Sequence, residues 1–401
     1  MKALLLILLI AGAGCGSIDK ISLNPNADIT GTESVFLFAT DFISSGQLYT
    51  APIDTVDALP NTGVTGLGSS AGIRVFDGLL YVLHDGFSSA SSDNVQILDP
   101  ANGLATVNQW STGNGTNPQD LIVVGNTAYI SLYNPEQDPE NVDDEGHPAD
   151  VIVMDLETGD ITNRISFFDS LNDDGARLGH AQAMVLVDDI IYVCLQDLEA
   201  DFSQNASGLI GIIHMKEDHA GHENHGVIPL QGRNPVGISY DEEGNRLFVA
   251  LQAPFDSMTF ENQFASLPFG GVEVVSLEDE SSTLIPDDDL GGYVERLASG
   301  EGQVFAVASQ MDLATFAFTS TIFKISLDDL ASSVFLSGSQ DVRDIAVDSQ
   351  NRLWVSRRSI TAGDGSASEP QVEVFDGETG AAVGTPLIPV VPVTSIAIGK
   401  I

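Results

Sequence analysis

The sequence predicts an all-β fold, on three observations. The 401 residues show no sustained helical periodicity and consist of short β-branched and aromatic runs divided by Gly, Asn and Asp turns. Hydrophobic residues make up 43% and charged residues 18%, enough apolar material for a large core and too much for a disordered polymer. One apolar run with an aromatic in a fixed place recurs along the whole chain, and such a period marks a repeat architecture.

The recurring aromatics are Phe36, Tyr81, Tyr129, Tyr192, Phe248, Phe305 and Trp354, at spacings of 45 to 63 residues. Each run follows a strand and a tight turn, as in Leu121–Val124 then Gly125-Asn126, or Ile345–Val347 then Ser349-Gln350-Asn351. After a variable loop comes a third strand, often closed by a Gly turn: Val151–Asp155 leads into Glu157-Thr158-Gly159, and Val372–Asp376 into Glu378-Thr379-Gly380. A weaker fourth strand completes the unit. Four-stranded units of about 45–60 residues are propeller blades, and a blade that is apolar on both faces buries itself only between neighbours in a closed ring. Seven runs therefore predict a seven-bladed β-propeller over residues 34–401, with two stacked β-sandwiches as the alternative. The first unit opens at Val35 without its leading strand, while Val393–Ile398 has the leading-strand pattern and no aromatic run behind it. The C-terminal strand is expected to join the N-terminal blade and close the ring.

Upstream of the repeats, Met1-Lys2, the apolar run Ala3–Ala11 and Gly12-Ala13-Gly14-Cys15 read as a secretory signal too short to span a bilayer. Small residues directly before a cysteine resemble the lipobox of bacterial lipoproteins. That resemblance implies a signal peptide over 1–14, lipidation of Cys15 and a flexible tether over 15–33, hence export and a lipid anchor in the cell envelope. An ordinary signal peptide is the plainer reading. Lys+Arg 15 against Asp+Glu 57 gives a net charge of −42, which repels phosphate backbones and makes nucleic acid an unsuitable partner. Two cysteines build neither a disulfide scaffold nor a Cys-based zinc module, and Cys194, inside an apolar run, is expected to be a buried core thiol.

Asn117-Pro118-Gln119-Asp120-Leu121-Ile122-Val123, Asn234-Pro235-Val236-Gly237-Ile238 and the D-x-E-T-G turns resemble the seven-bladed propellers of the YVTN and NHL type. This architecture hosts binders, scaffolds and enzymes alike, so function has to be read from a site.

Aligning the leading strands places two sets of residues at the channel mouth. One contains Ser69, Asn117, His180, Asn234, Tyr293, Asp341 and Pro392; the other Ala71, Gln119, Gln182, Val236, Glu295, Arg343 and Thr394. Arg358 and other aromatic-strand ends join them. Amides, an imidazole, arginines and carboxylates converging on an axis describe a polar binding pocket, with Asn117, Gln119, His180, Gln182, Asn234, Asp341, Arg343 and Arg358 as its candidate ligand contacts. The alternative is that these groups satisfy strand-end backbone. Loops between second and third strands are long, among them Asn134–Asp150, Ala253–Gly270 and Met311–Ser320, and carry aromatics including Tyr133, Phe269 and Phe318. Four of the seven histidines, His214, His219, His222 and His225, crowd one segment and suit Zn²⁺, Cu²⁺ or Ni²⁺, against the plainer reading of a solvated loop. The acidic clusters Asp138–Glu145 and Asp287–Asp289, and oxygen ligands at Asn117, Asn234 and Asp341, suit Ca²⁺.

The leading functional expectation is an envelope lipoprotein that binds a ligand or partner, similar to propeller lipoproteins that serve outer-membrane transporters and extending to capture of a metal or metal complex. The alternatives are a metal-dependent propeller hydrolase resembling the gluconolactonase group, and a scaffold subunit of an envelope complex.

Overall fold

A computed structural model describes residues 31–41, 46–57, 64–68, 71–85, 92–171, 177–199, 206–215, 223–252, 269–312, 317–358 and 368–401. Cys15, the tether before residue 31, His219 and His222 lie outside these residues, as does the side chain of His225.

Seven antiparallel sheets follow one another along the chain as blades, with a further two-stranded ladder of Arg177–Leu178 against Leu198–Glu199. Blade 2 runs outward from the axis as Ala71–Phe76, Leu79–His84, Asn94–Asp99 and Ala105–Ser111. Blades 3 to 6 repeat this order from Pro118, Ala181, Pro235 and Tyr293. Blade 7 pairs Val342–Val347, Arg352–Arg357 and Gln371–Asp376, and its fourth position is taken by single bridges from Leu387 to Val372 and Ala382 to Phe375.

Blade 1 is made from both ends of the chain. Val393–Lys400 forms its inner strand against Glu33–Ala39, with Val35 opposite Ile398, Phe36 opposite Ala397 and Leu37 opposite Ile396. The ring therefore closes as the missing leading strand predicts. Asp348 and Arg352 secure the same seam, because Arg352 donates to the Ile53 carbonyl at 2.9 Å while Trp354 donates to Asp348 at 2.8 Å.

Every recurring aromatic lies on the second strand of its blade and is buried. The apolar core is divided into seven clusters, one in each gap between adjacent blades, including the gap between blades 7 and 1. Such wedges follow from blades that are apolar on both faces. Cys194 is fully buried in the wedge between blades 4 and 5, and burial pushes its thiol pKa up, which keeps it protonated and inert.

Two loop expectations change. Met311–Ser320 is not a structureless loop, because Gln303–Asp312 and Ala317–Ser326 form a long hairpin paired out to Asp312 and Ala317. The stretch Phe318-Thr319-Ser320-Thr321 has the β-branched and aromatic character that extends a strand. The 134–150 loop is ordered by its own bonds: a Pro135–Gln137 turn, a bridge between Val142 and Pro148, and the buried Asn141 amide donating to the Pro135 and Ala149 carbonyls at 3.2 and 3.1 Å.

Candidate functional site

The inner strands surround an axial cavity of about 470 Å³. Its wall includes Ala71, Gln119, Gln182, Val236, Glu295, Arg343 and Thr394, one residue from each blade. A backbone device presents them. In blades 1, 3, 4, 5, 6 and 7 the inner strand slips register beside its neighbour at this position, for example between Pro118 and Asp120, between Val294 and Arg296, and between Val342 and Asp344. The extra residue of such a β-bulge is left out of the ladder and its side chain is re-aimed, here toward the axis. In blade 2 the inner strand keeps its register against the second strand, and Ala71 pairs directly with His84.

The residues after the bulge tie the ring together. Asp120 accepts the N–H of Leu121 at 2.8 Å and, from the next blade, that of Met184 at 2.9 Å. Asp344 repeats the pattern with Ile345 at 3.0 Å and Ile396 at 2.7 Å, and Ser395 Oγ accepts the Ile73 N–H at 3.2 Å. Arginines meet the two aspartates inside the cavity: Arg74 lies 2.9 Å from Asp120 and Arg296 lies 3.7 Å from Asp344. Asp120 raises the pKa of Arg74, fixing its positive charge.

A second charged group is centred on Glu295. Ser309 Oγ donates to its carboxylate at 3.1 Å, and burial raises its pKa against the opposing pull of Arg296 and Arg343. Arg343 pairs with Asp341 at 2.8 Å, its guanidinium lies 6.0 Å from the Phe318 ring centroid, and its buried Nε has no hydrogen-bond partner among the described residues. The buried Thr394 Oγ1 is likewise without a partner among the described residues. Burial raises Asp341 and Asp344 as well. Three of the chain's 15 basic residues, Arg74, Arg296 and Arg343, thus line one cavity in a protein of net charge −42.

The candidate contacts separate into two groups. Gln119, Gln182 and Arg343 line the cavity. Asn117, Asn234 and Asp341 close ladders with their backbone carbonyls, which accept the N–H groups of Tyr133, Gln252 and Arg358 at 3.0, 3.1 and 2.9 Å. Asn117 and Asn234 do so at φ of 50° and 55°, a left-handed conformation that asparagine tolerates. His180, at φ 45°, places Nδ1 2.6 Å from the Tyr133 carbonyl, and burial lowers its pKa. Arg358 is exposed and outside the wall. Arg74, Asp120, Arg296 and Asp344 are absent from the sequence-derived set. The sequence signal for the two aspartates is the shared pattern Asp120-Leu121-Ile122-Val123 and Asp344-Ile345-Ala346-Val347 one place after the aligned column.

His214 ends the third strand of blade 4, opposite Glu223. Two acids of the 138–145 cluster are engaged by backbone N–H groups: Asp138 accepts from Asn114 and Glu140, each at 3.0 Å, and Asp143 from Glu145 and His147, each at 2.9 Å.

No family model matches the chain, and no curated protein matches it. Solved structures of low sequence identity share the seven-bladed propeller fold. A candidate 6-phosphogluconolactonase from Bacteroides fragilis NCTC 9343 superposes with a TM-score of 0.60 at 12% identity, over 94% of this chain and 100% of the other. A candidate 6-phosphogluconolactonase from Bacteroides uniformis ATCC 8492 gives 0.59 at 12% identity, over 92% and 99%. The periplasmic gluconolactonase of Pseudomonas aeruginosa gives 0.56 at 11% identity, over 91% and 98%.

Proposed function

We propose that the protein is an exported, lipid-anchored binding propeller whose axial cavity takes a small polar ligand carrying both an acidic group and hydroxyls. The observation that carries this reading is the concentration of Arg74, Arg296 and Arg343 around one cavity of a strongly acidic chain. Arginine forks suit carboxylate and phosphate, while the Gln119 and Gln182 amides and the Thr394 hydroxyl suit a polyol. The Gly12-Ala13-Gly14-Cys15 segment supports the anchor, and delivery to an outer-membrane transporter or another envelope protein is the role that such an address suits. The His-rich segment at His214, His219, His222 and His225 belongs to the same proposal as a metal-gathering appendage.

Titration calorimetry with gluconate and 6-phosphogluconate tests the cavity. At least one is expected to bind, and Arg343→Gln is expected to weaken it at least tenfold with the fold intact by circular dichroism. Heat of dilution alone with both sugar acids would leave this ligand class without support.

A second reading is favoured by Glu295. A half-buried carboxyl with a raised pKa beside two arginines is poised as a proton donor next to an anion site, as ester or lactone opening requires. The lactonase neighbours support the same chemistry. Turnover of glucono-δ-lactone or its 6-phosphate above the spontaneous rate, lost in Glu295→Gln, would establish catalysis, and binding without turnover would exclude it for these lactones.

A further inference from the structure

We propose that Glu145, His147 and Asp169 form a binding site for a first-row divalent metal ion, best suited to Zn²⁺, on the long-loop face beside blade 3. One ligand atom from each of the three lies within 4.8 Å of the other two. Metal–ligand bonds of about 2.0–2.2 Å hold the ligands of one ion roughly 3–4 Å apart, so small rotations of side-chain ends complete the set.

The fold holds these groups on a rigid frame. Asp143 Oδ1 accepts the N–H groups of Glu145 and His147, and the Asp143 N–H donates to the His147 carbonyl at 2.9 Å. The bridge between Val142 and Pro148 closes this tip at its base. Asp169 approaches from a separate element, the single turn Phe168–Leu171 that follows the outer strand of blade 3. The His147 ring stacks on Phe168 with centroids 4.4 Å apart and planes 19° apart, which fixes the imidazole beside the residue next to Asp169. Asp143 Oδ2 lies 3.7 Å from His147 Nδ1. A carboxylate facing one ring nitrogen orients a metal-binding histidine and leaves the other nitrogen to coordinate.

The imidazole decides the metal. Ca²⁺ collects six to eight oxygens, whereas one nitrogen with two carboxylates and an open position is a zinc donor set. None of the three residues lines the axial cavity.

The test is calorimetric titration of ZnCl₂ and CaCl₂ into the full chain carrying His214→Ala, His219→Ala, His222→Ala and His225→Ala, which silences the competing histidines. One Zn²⁺ is expected to bind with micromolar affinity, at least a hundredfold tighter than Ca²⁺. Adding His147→Ala or Asp169→Asn is expected to weaken Zn²⁺ at least tenfold, with metal-free Tm and circular dichroism unchanged. Zn²⁺ binding that both substitutions leave intact, no Zn²⁺ binding by the parent, or equal affinity for Ca²⁺ would each overturn the proposal.

Discussion

Asp120 and Asp344 each serve three partners at once: an N–H of their own strand, an N–H of the next blade and an arginine in the cavity. Both side chains therefore couple ring integrity to the charge of the pocket. Alanine at Asp120 strands two buried N–H groups, and each unsatisfied buried donor costs about 1–3 kcal/mol. Asp120→Ala and Asp344→Ala are each expected to destabilise the protein by about 3 kcal/mol in urea unfolding. Asp344→Ala acts on the closing strand through Ile396, so it is expected to expose the C-terminus to carboxypeptidase while Asp120→Ala leaves it protected. Equal stability of both variants and the parent would show that backbone relaxation replaces these bonds.

The closing strand is the element on which the architecture depends. Val393 and Ile396 are buried in the wedge between blades 7 and 1, and Ala397 in the wedge between blades 1 and 2. Removing 393–401 would leave Glu33–Ala39 as an open edge and uncover two wedges. A chain ending at residue 392 is expected to lose cooperative unfolding, and Ile396→Ala to cost about 2–4 kcal/mol, as buried large-to-small changes do. A truncated chain that melts like the parent would refute closure as a stabilising device. This strand was legible in the sequence because apolar alternation and an unpaired first unit are local signals. The aligned column Gln119, Gln182, Glu295 and Arg343 was legible for the same reason, since the repeat fixes its register. The bulge that turns it inward was not, because a bulge is a relation between two strands. Nor was the separate backbone role of Asn117 and Asn234, which depends on hydrogen bonds to Tyr133 and Gln252. The meeting of His147 with Asp169 is likewise tertiary: the two belong to different elements and no spacing rule joins them.

At the scale of the whole molecule, an acidic ring places some carboxyls where ionisation is costly. Burial holds Asp150 up at about 7, although the Phe167 N–H donates to it at 2.8 Å and favours the charged form. Glu295, Asp341 and Asp344 are raised by burial in the same way. An unfolded aspartate titrates near 3.9, so between about pH 4 and 7 the native state holds more protons than the unfolded chain. Stability from Asp150 is therefore complete below about pH 4 and is lost as the pH rises through 7, and Glu295, Asp341 and Asp344 contribute in the same direction. His84 and His180 act in the opposite sense, because burial lowers both and the unfolded chain takes up their protons first as the pH falls below about 6.5. The wild-type profile mixes the two effects, but a difference isolates one of them. The unfolding free energy of the wild type minus that of Asp150→Asn is expected to increase by about 1 kcal/mol from pH 8 to pH 6, where Asp150 gains its proton. Urea titrations of both proteins at the two pH values measure this difference. A value that stays constant, or that shrinks toward pH 6, would mean that Asp150 is ionised in the folded ring throughout this range.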